Sequence, residues 1–232
     1  MFWRNPSAAF FNFLLPLLFL VAGGVILSGN QTQLDKLVPS IAGMAVMSTT
    51  FTALAYNIVF LRERGVLKRI RGAPLPTLSY FGGVAANAVT NTVLQIVIVV
   101  IAGRAFFGIG WPSDVFALVV FTVAGVVCFA SLGVSFAHAI PNFEATAAYV
   151  NAVFLPVVFV SFYVFDSHSA PAFLRTIAEA LPLYPLIHGL SGALVTGTSL
   201  STNLSDLGVI AVWAVLGIWL AVRGFSWEQR RS

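Results

Sequence analysis

Charge is what this sequence has least of. Charged residues make up 9% of its 232 positions, where soluble domains carry about 25%. Hydrophobic types fill 59%, and the mean hydropathy is +0.94. A soluble fold of this length could not hide that much apolar surface, so the solvent of this chain is lipid. Cysteine is almost missing as well. Cys128 stands alone in an apolar run, which excludes an internal disulfide framework or a thiolate metal site and leaves a small buried hydrophobe. Lysine occurs only as Lys36 and Lys68. Neither closes a Gly-rich turn ahead of Ser or Thr, so a phosphate-cradling P-loop is excluded.

Other chemistries fall away for similar reasons. Ion-coupled carriers keep acidic or basic groups inside their spans, and the long apolar runs here are almost free of them. Glu144 and His138 sit by a short turn, "AHAIPNFEA". His138, His168 and His188 lack metal-ligand spacing and have no acid at a helical offset, so each reads as an interfacial histidine and no metal is expected. The "GLSG" at residues 189–192 resembles the Gly-x-Ser-Gly of rhomboid proteases. No histidine follows Ser191 to serve as its base, and His188 lies three residues before it. The net charge is +4, but the cations are clustered, which favours orientation in a membrane over a nucleic-acid partner.

What is present is a series of charge-free windows. They predict an all-α polytopic membrane protein with six spans, over residues 8–28, 38–61, 77–103, 115–139, 145–165 and 204–222, in one domain covering 1–232. The first run, roughly twenty residues, exceeds the 7–15 of a signal-peptide core and reads as a retained span. Residues 180–205 are also uncharged. Pro182, Pro185, Gly189 and Gly192 make them poor lipid-exposed helix, so short, partly re-entrant external helices are expected over about 170–195. Six spans put both termini on one side. That side receives nine of the twelve cations, and Lys36, Arg104 and Arg175 fall on the other. The positive-inside rule then makes both termini cytoplasmic.

Five cations gather at Arg62, Arg64, Lys68, Arg69 and Arg71. As a helix over about 62–73, Arg64, Lys68 and Arg71 form a basic face, while Glu63, Val66, Leu67 and Ile70 follow the complementary pattern. Gly65 and the Pro74-x-Pro76 stop are not needed by a plain charge anchor. From the residues alone, an anchor facing lipid phosphates and a handle for a partner both remain open. On the third span Asn87, Asn91 and Gln95 continue a stripe from Ser79 and Gly83, one every four residues. It reads either as interhelical packing or as the wall of a wetted path.

Four stretches then carry a resemblance: "WRNPSAAFFNFLLPLLFLVAGG", "RERGVLKRIRGAPLP", "AIPNFEATAAYVNAVFLPVVFVSFYVF" and "APAFLRTIAEALPLYPLIHGLSGAL". In this order they resemble the permease subunits of ABC-2 type exporters, particularly the daunorubicin-resistance-like drug exporters. One departure is Ser161-Phe162, where the family often has Ser-Gly. The resemblance implies a cell-membrane exporter subunit, not itself an enzyme, that moves a hydrophobic or amphipathic compound. Two ATPase subunits would supply the energy, holding ATP and Mg while this chain holds no cofactor. A second six-helix permease, identical or related, would complete the pore. The resemblance makes 62–73 a coupling helix, its partner-binding residues being Arg62, Glu63, Arg64, Gly65, Leu67, Lys68, Arg69, Ile70 and Arg71. It makes Pro182, Leu183, Tyr184 and Leu186 an external gate. The alternatives are a haem-export-like or polysaccharide-type permease, or an ATP-independent carrier.

Overall fold

The computed structural model describes residues 6–27, 29–65, 77–166 and 170–224, and every regular element among them is helical. The helices are α1 (Pro6–Ile26), α2 (Gln31–Met47), α3 (Ala53–Glu63), α4 (Thr77–Phe107), α5 (Val115–Phe136), α6 (Thr146–Asp166), α7 (Ala172–Ala180), α8 (Leu183–Ser191) and α9 (Leu204–Gly224). Among the described residues five helices are long and apolar enough to cross a membrane: Gln31–Glu63, Ala86–Phe107, Val115–Phe136, Thr146–Phe165 and Leu200–Arg223. The apolar part of α1 with described side chains, Pro16–Ile26, is shorter.

The second span corrects its expected limits of 38–61. Asn30 caps the helix by accepting from the Gln33 amide at 3.3 Å, so it starts at Gln31 and takes in Asp35 and Lys36. α2 and α3 form one rod of 33 residues, about 50 Å long, against a hydrocarbon core of about 30 Å. Both of its polar ends therefore project. Where the two helices join, Ser48–Thr52 adopts a π-turn. The sequence supplies the cause: Thr49 donates to the Ala45 carbonyl at 2.7 Å and Thr50 to that of Val46 at 2.6 Å. These hydroxyls compete with the backbone ladder and loosen it by one residue.

The π-turn bulges towards α5, where only glycine fits. A Cβ on Gly133 would sit 2.6 Å from the Phe51 carbonyl oxygen. α5 is also stitched to α9. Ser135 donates to the Gly217 carbonyl at 2.5 Å and Ser131 to that of Ala214 at 3.3 Å, with Gly217 closed against Ser131. Small residues let the backbones approach so that hydroxyls can reach carbonyls across the pair.

The segment before α9 is a hairpin that enters the bundle and turns back. The Ala193 carbonyl accepts from the amides of Ser113 and Asp114 beside the start of α5, at 2.9 and 3.0 Å. Farther in, Gly189 faces Phe121 and Leu186 faces Gly125. At the tip, Trp213, midway along α9, donates from its indole nitrogen to the Ala180 carbonyl at 2.7 Å. The expected partly re-entrant helices thus go half-depth. α7 lies largely exposed, while Leu183, Leu186, Ile187 and Leu190 on α8 are fully buried.

Two substitutions test the close approach. Gly133→Leu should destabilise the folded protein by about 1–3 kcal/mol or more through overpacking. Gly208→Leu, on α9 with nothing within 4 Å of its would-be Cβ, should leave thermal unfolding in detergent unchanged.

Candidate functional site

The rod ends in a clasp. α3 stops at Glu63, and Gly65 takes φ +65°, a left-handed turn that glycine adopts without strain. Arg62 and Glu63 therefore belong to the membrane-crossing rod, and the expected single helix over 62–73 is corrected: it cannot run through Gly65. Leu67, Lys68, Arg69, Ile70 and Arg71 lie outside the described residues.

Arg62 reaches across to the turn between α5 and α6. Its guanidinium donates to the carbonyls of Ala137 at 3.1 Å, Ile140 at 2.5 Å and Pro141 at 3.4 Å. Those carbonyls follow the end of α5 and have no next helical turn to bond. The Glu63 carboxylate accepts from the Phe143 amide at 2.5 Å. The Phe143 ring sits edge-on to both Tyr56 and Phe60, and the Arg64 guanidinium covers Phe60 at 4.3 Å. On the sequence alone, 137–145 is a bare turn between two spans. The usable signal was Phe143, an aromatic placed among Pro141, Asn142 and Glu144.

The amide stripe divides. Asn87 is exposed, whereas Asn91 and Gln95 are buried within the chain. Next to Asn91, Thr92 shares a 3.0 Å hydrogen bond with Thr49 of the π-turn. The buried part of the stripe thus faces the rod, and the Asn91 Oδ1 has no hydrogen-bond partner among the described residues. The four gate residues divide as well. Pro182, Leu183 and Leu186 are buried; Leu183 and Leu186 pack against Gly43 and Gly125 and hold the hairpin in place. Tyr184 is half-buried and faces a polar cavity of about 610 Å³ at the Gln31 end, with Asp35, Lys36, Arg175 and Glu179.

His188 also lines that cavity. It stacks on Tyr184, and its Nδ1 bonds the Asp206 carboxylate at 2.7 Å. The acid missing at helical offsets comes from α9 instead, eighteen residues on. The hydrogen bond to Asp206 raises the histidine pKa from 6.5, against a smaller opposing effect of burial. His168 lies outside the described residues. In α6 the departure at Ser161-Phe162 leaves the helix unbroken to Asp166, with Ser161 fully buried and its Oγ without a partner among the described residues.

The family model described as ABC-2 type transporter matches residues 1–195. The ycf38 protein of Porphyra purpurea, described as a transport permease, is 28% identical over 199 residues, covering 81% of this chain and 68% of that protein. Its counterpart in Pyropia yezoensis is 25% identical over 222 residues, or 91% and 75% of the two chains. The linearmycin resistance permease protein LnrN of Bacillus subtilis is 24% identical over 179 residues, 75% of this chain but 46% of LnrN. No solved structure matches.

Two outcomes test the site. Arg62→Ala should cost about 1–3 kcal/mol by orphaning part-buried carbonyls, and it should speed thiol labelling of an Asn142→Cys reporter at least fivefold. Arg62→Lys, a point donor in place of a fork, should restore only part of the protection. At the other end, the raised histidine pKa means that the pair's contribution is complete below the unfolded value and is lost as pH rises through the folded one. Thermal stability should therefore fall more in the parent than in His188→Gln as pH rises from below the ordinary histidine value through the raised folded one.

Proposed function

We propose a function from one premise: the chain belongs to the ABC-2 type transporter family. It is a membrane transport permease, and we read it as the membrane subunit of an ATP-driven exporter for a hydrophobic or amphipathic compound. The clasp is the observation that carries this reading. It ties the exit of the second span, where the basic loop begins, to the turn between α5 and α6. A force applied to that loop reaches two helices at once. Two ATPase subunits with ATP and Mg would supply the force from the cytoplasmic side, and a second six-helix permease would complete the pore. Both termini then lie in the cytoplasm, with α1 as the sixth span. The name of LnrN supports a resistance cargo, and the largely apolar helix faces suit a hydrophobic or amphipathic one.

The buried amides support packing over a wetted path for Asn91 and Gln95, and leave Asn87 as the member of the stripe open to a neighbour. Within the external gate, Tyr184 is the residue placed to act, since it faces the polar cavity.

Purification of the tagged chain from its native membrane should bring down a P-loop ATPase at equal stoichiometry; a solitary chain would count against the reading. Leu67→Asp should leave insertion and folding intact while lowering ATP-dependent export at least tenfold. Normal export by that variant would remove the coupling role of the loop.

A further inference from the structure

A slot of about 540 Å³ lies beneath the hairpin tip, between α6 on one side and α5 with α9 on the other. Its walls are Leu132 on α5, Val153 and Val157 on α6, and Trp213 and Leu220 on α9, with Leu181 and Pro182 closing one end. α6 packs against α2, α3, α7 and α8 but is not packed along α5 or α9. The slot therefore opens sideways past Leu220, which lines it and is exposed on α9. The polar groups lining its Arg62 end are Ser135 and His138.

Three physical points decide what fills it. Interiors are close-packed and tolerate few voids larger than a water molecule, so a space of this size takes an occupant. An apolar lining does not hold water. The medium against which these helices lie is hydrocarbon, and an extended alkyl chain is thin enough to enter from the side.

We propose that the slot holds one acyl chain of a membrane phospholipid, with the headgroup at the His138 end and the chain lying under the hairpin tip against Trp213. Headgroup and chain then match the polar and apolar ends of the slot. The indole that pins the hairpin through the Ala180 carbonyl forms part of the wall that the lipid touches. Occupancy of the slot and the seating of the hairpin tip are in this way contacts of the same side chain.

The test uses the full chain with Trp213 as its only tryptophan, Trp3, Trp111, Trp219 and Trp227 being changed to Phe. It is reconstituted in phosphatidylcholine brominated at mid-chain. Trp213 fluorescence should fall by at least half relative to unbrominated lipid. Val153→Phe with Val157→Phe should at least halve that quenching, while Leu155→Phe on the outer face should not alter it. Equal quenching with the slot filled or open would overturn the proposal, as would no quenching at all. A second measurement needs no core substitution. Phosphatidylcholine carrying a mid-chain diazirine should label Val153 or Val157 in the otherwise unchanged protein. Labels confined to outward residues such as Leu155 and Phe159, or a disulfide between copies through Val157→Cys, would equally overturn it.

Discussion

A helix that enters a bundle and turns back halfway must satisfy its turn without water. In hydrocarbon each unpaired backbone group costs several kcal/mol, and the hairpin of α7 and α8 puts such groups at the bundle's mid-depth. Three bonds answer this. Trp213 donates to the Ala180 carbonyl at the tip, and the Ser113 and Asp114 amides donate to the Ala193 carbonyl near the mouth. The rest of the bundle is shaped to admit the insertion. Gly43 on α2 makes room for Ile187, and Gly125 on α5 for Leu186. On α8 itself, Gly189 admits Phe121. Each glycine is the half of a contact that lets an apolar side chain reach a neighbouring backbone. The burial of α8 is thus a property of three helices, and the fully buried row from Leu183 to Leu190 is its result.

The two ends of the bundle differ because their polar residues do different work. At the Gln31 end, charges of both signs line an open cavity, and His188 is held by an acid from α9. At the other end, Arg62 and Glu63 spend their polar groups on backbone, tying one turn to another. A guanidinium fork suits this role, since it can serve several carbonyls at once and stays charged at every relevant pH.

Much of this was readable in the sequence, and the failures have a common cause. Charge-free windows located five helices to within a few residues, because lipid demands long apolar runs. The paired prolines and glycines of 182–192 marked a segment that could not simply span. The second helix begins seven residues before its expected start at 38, because Asp35 and Lys36 ride on it; the rod is long enough to carry them beyond the hydrocarbon. The π-turn left a signal in "STTFT", a run of hydroxyls able to bond back to the preceding turn, but its meaning needed Gly133 on another helix. The clasp and the His188–Asp206 pair are long-range in sequence. Periodicity along one helix carries no information about which turn of another helix lies opposite. The burial of Leu183 and Leu186 is hidden for the same reason, since an apolar residue in a broken segment looks the same whether it faces a mouth or a core.

The packing divides the chain into parts of unequal rigidity. α5 and α9 are joined by two serine hydroxyls and a glycine contact along their lengths. Among the described residues α6 has no comparable seam. It leans on the hairpin and the rod, carries Pro156 within it, and keeps Ser161 buried without a partner among the described residues. Proline removes one backbone donor, and an unpaired buried hydroxyl offers no lock, so α6 is held by apolar contact more than by directed bonds. Its start lies three residues beyond Phe143, the residue the clasp grips. The clasped turn therefore feeds a span held mainly by apolar contact. Displacing Arg62 and Glu63 with the end of the rod would tilt α6 before it disturbed the α5–α9 pair, and the slot between them is where the change in spacing would fall.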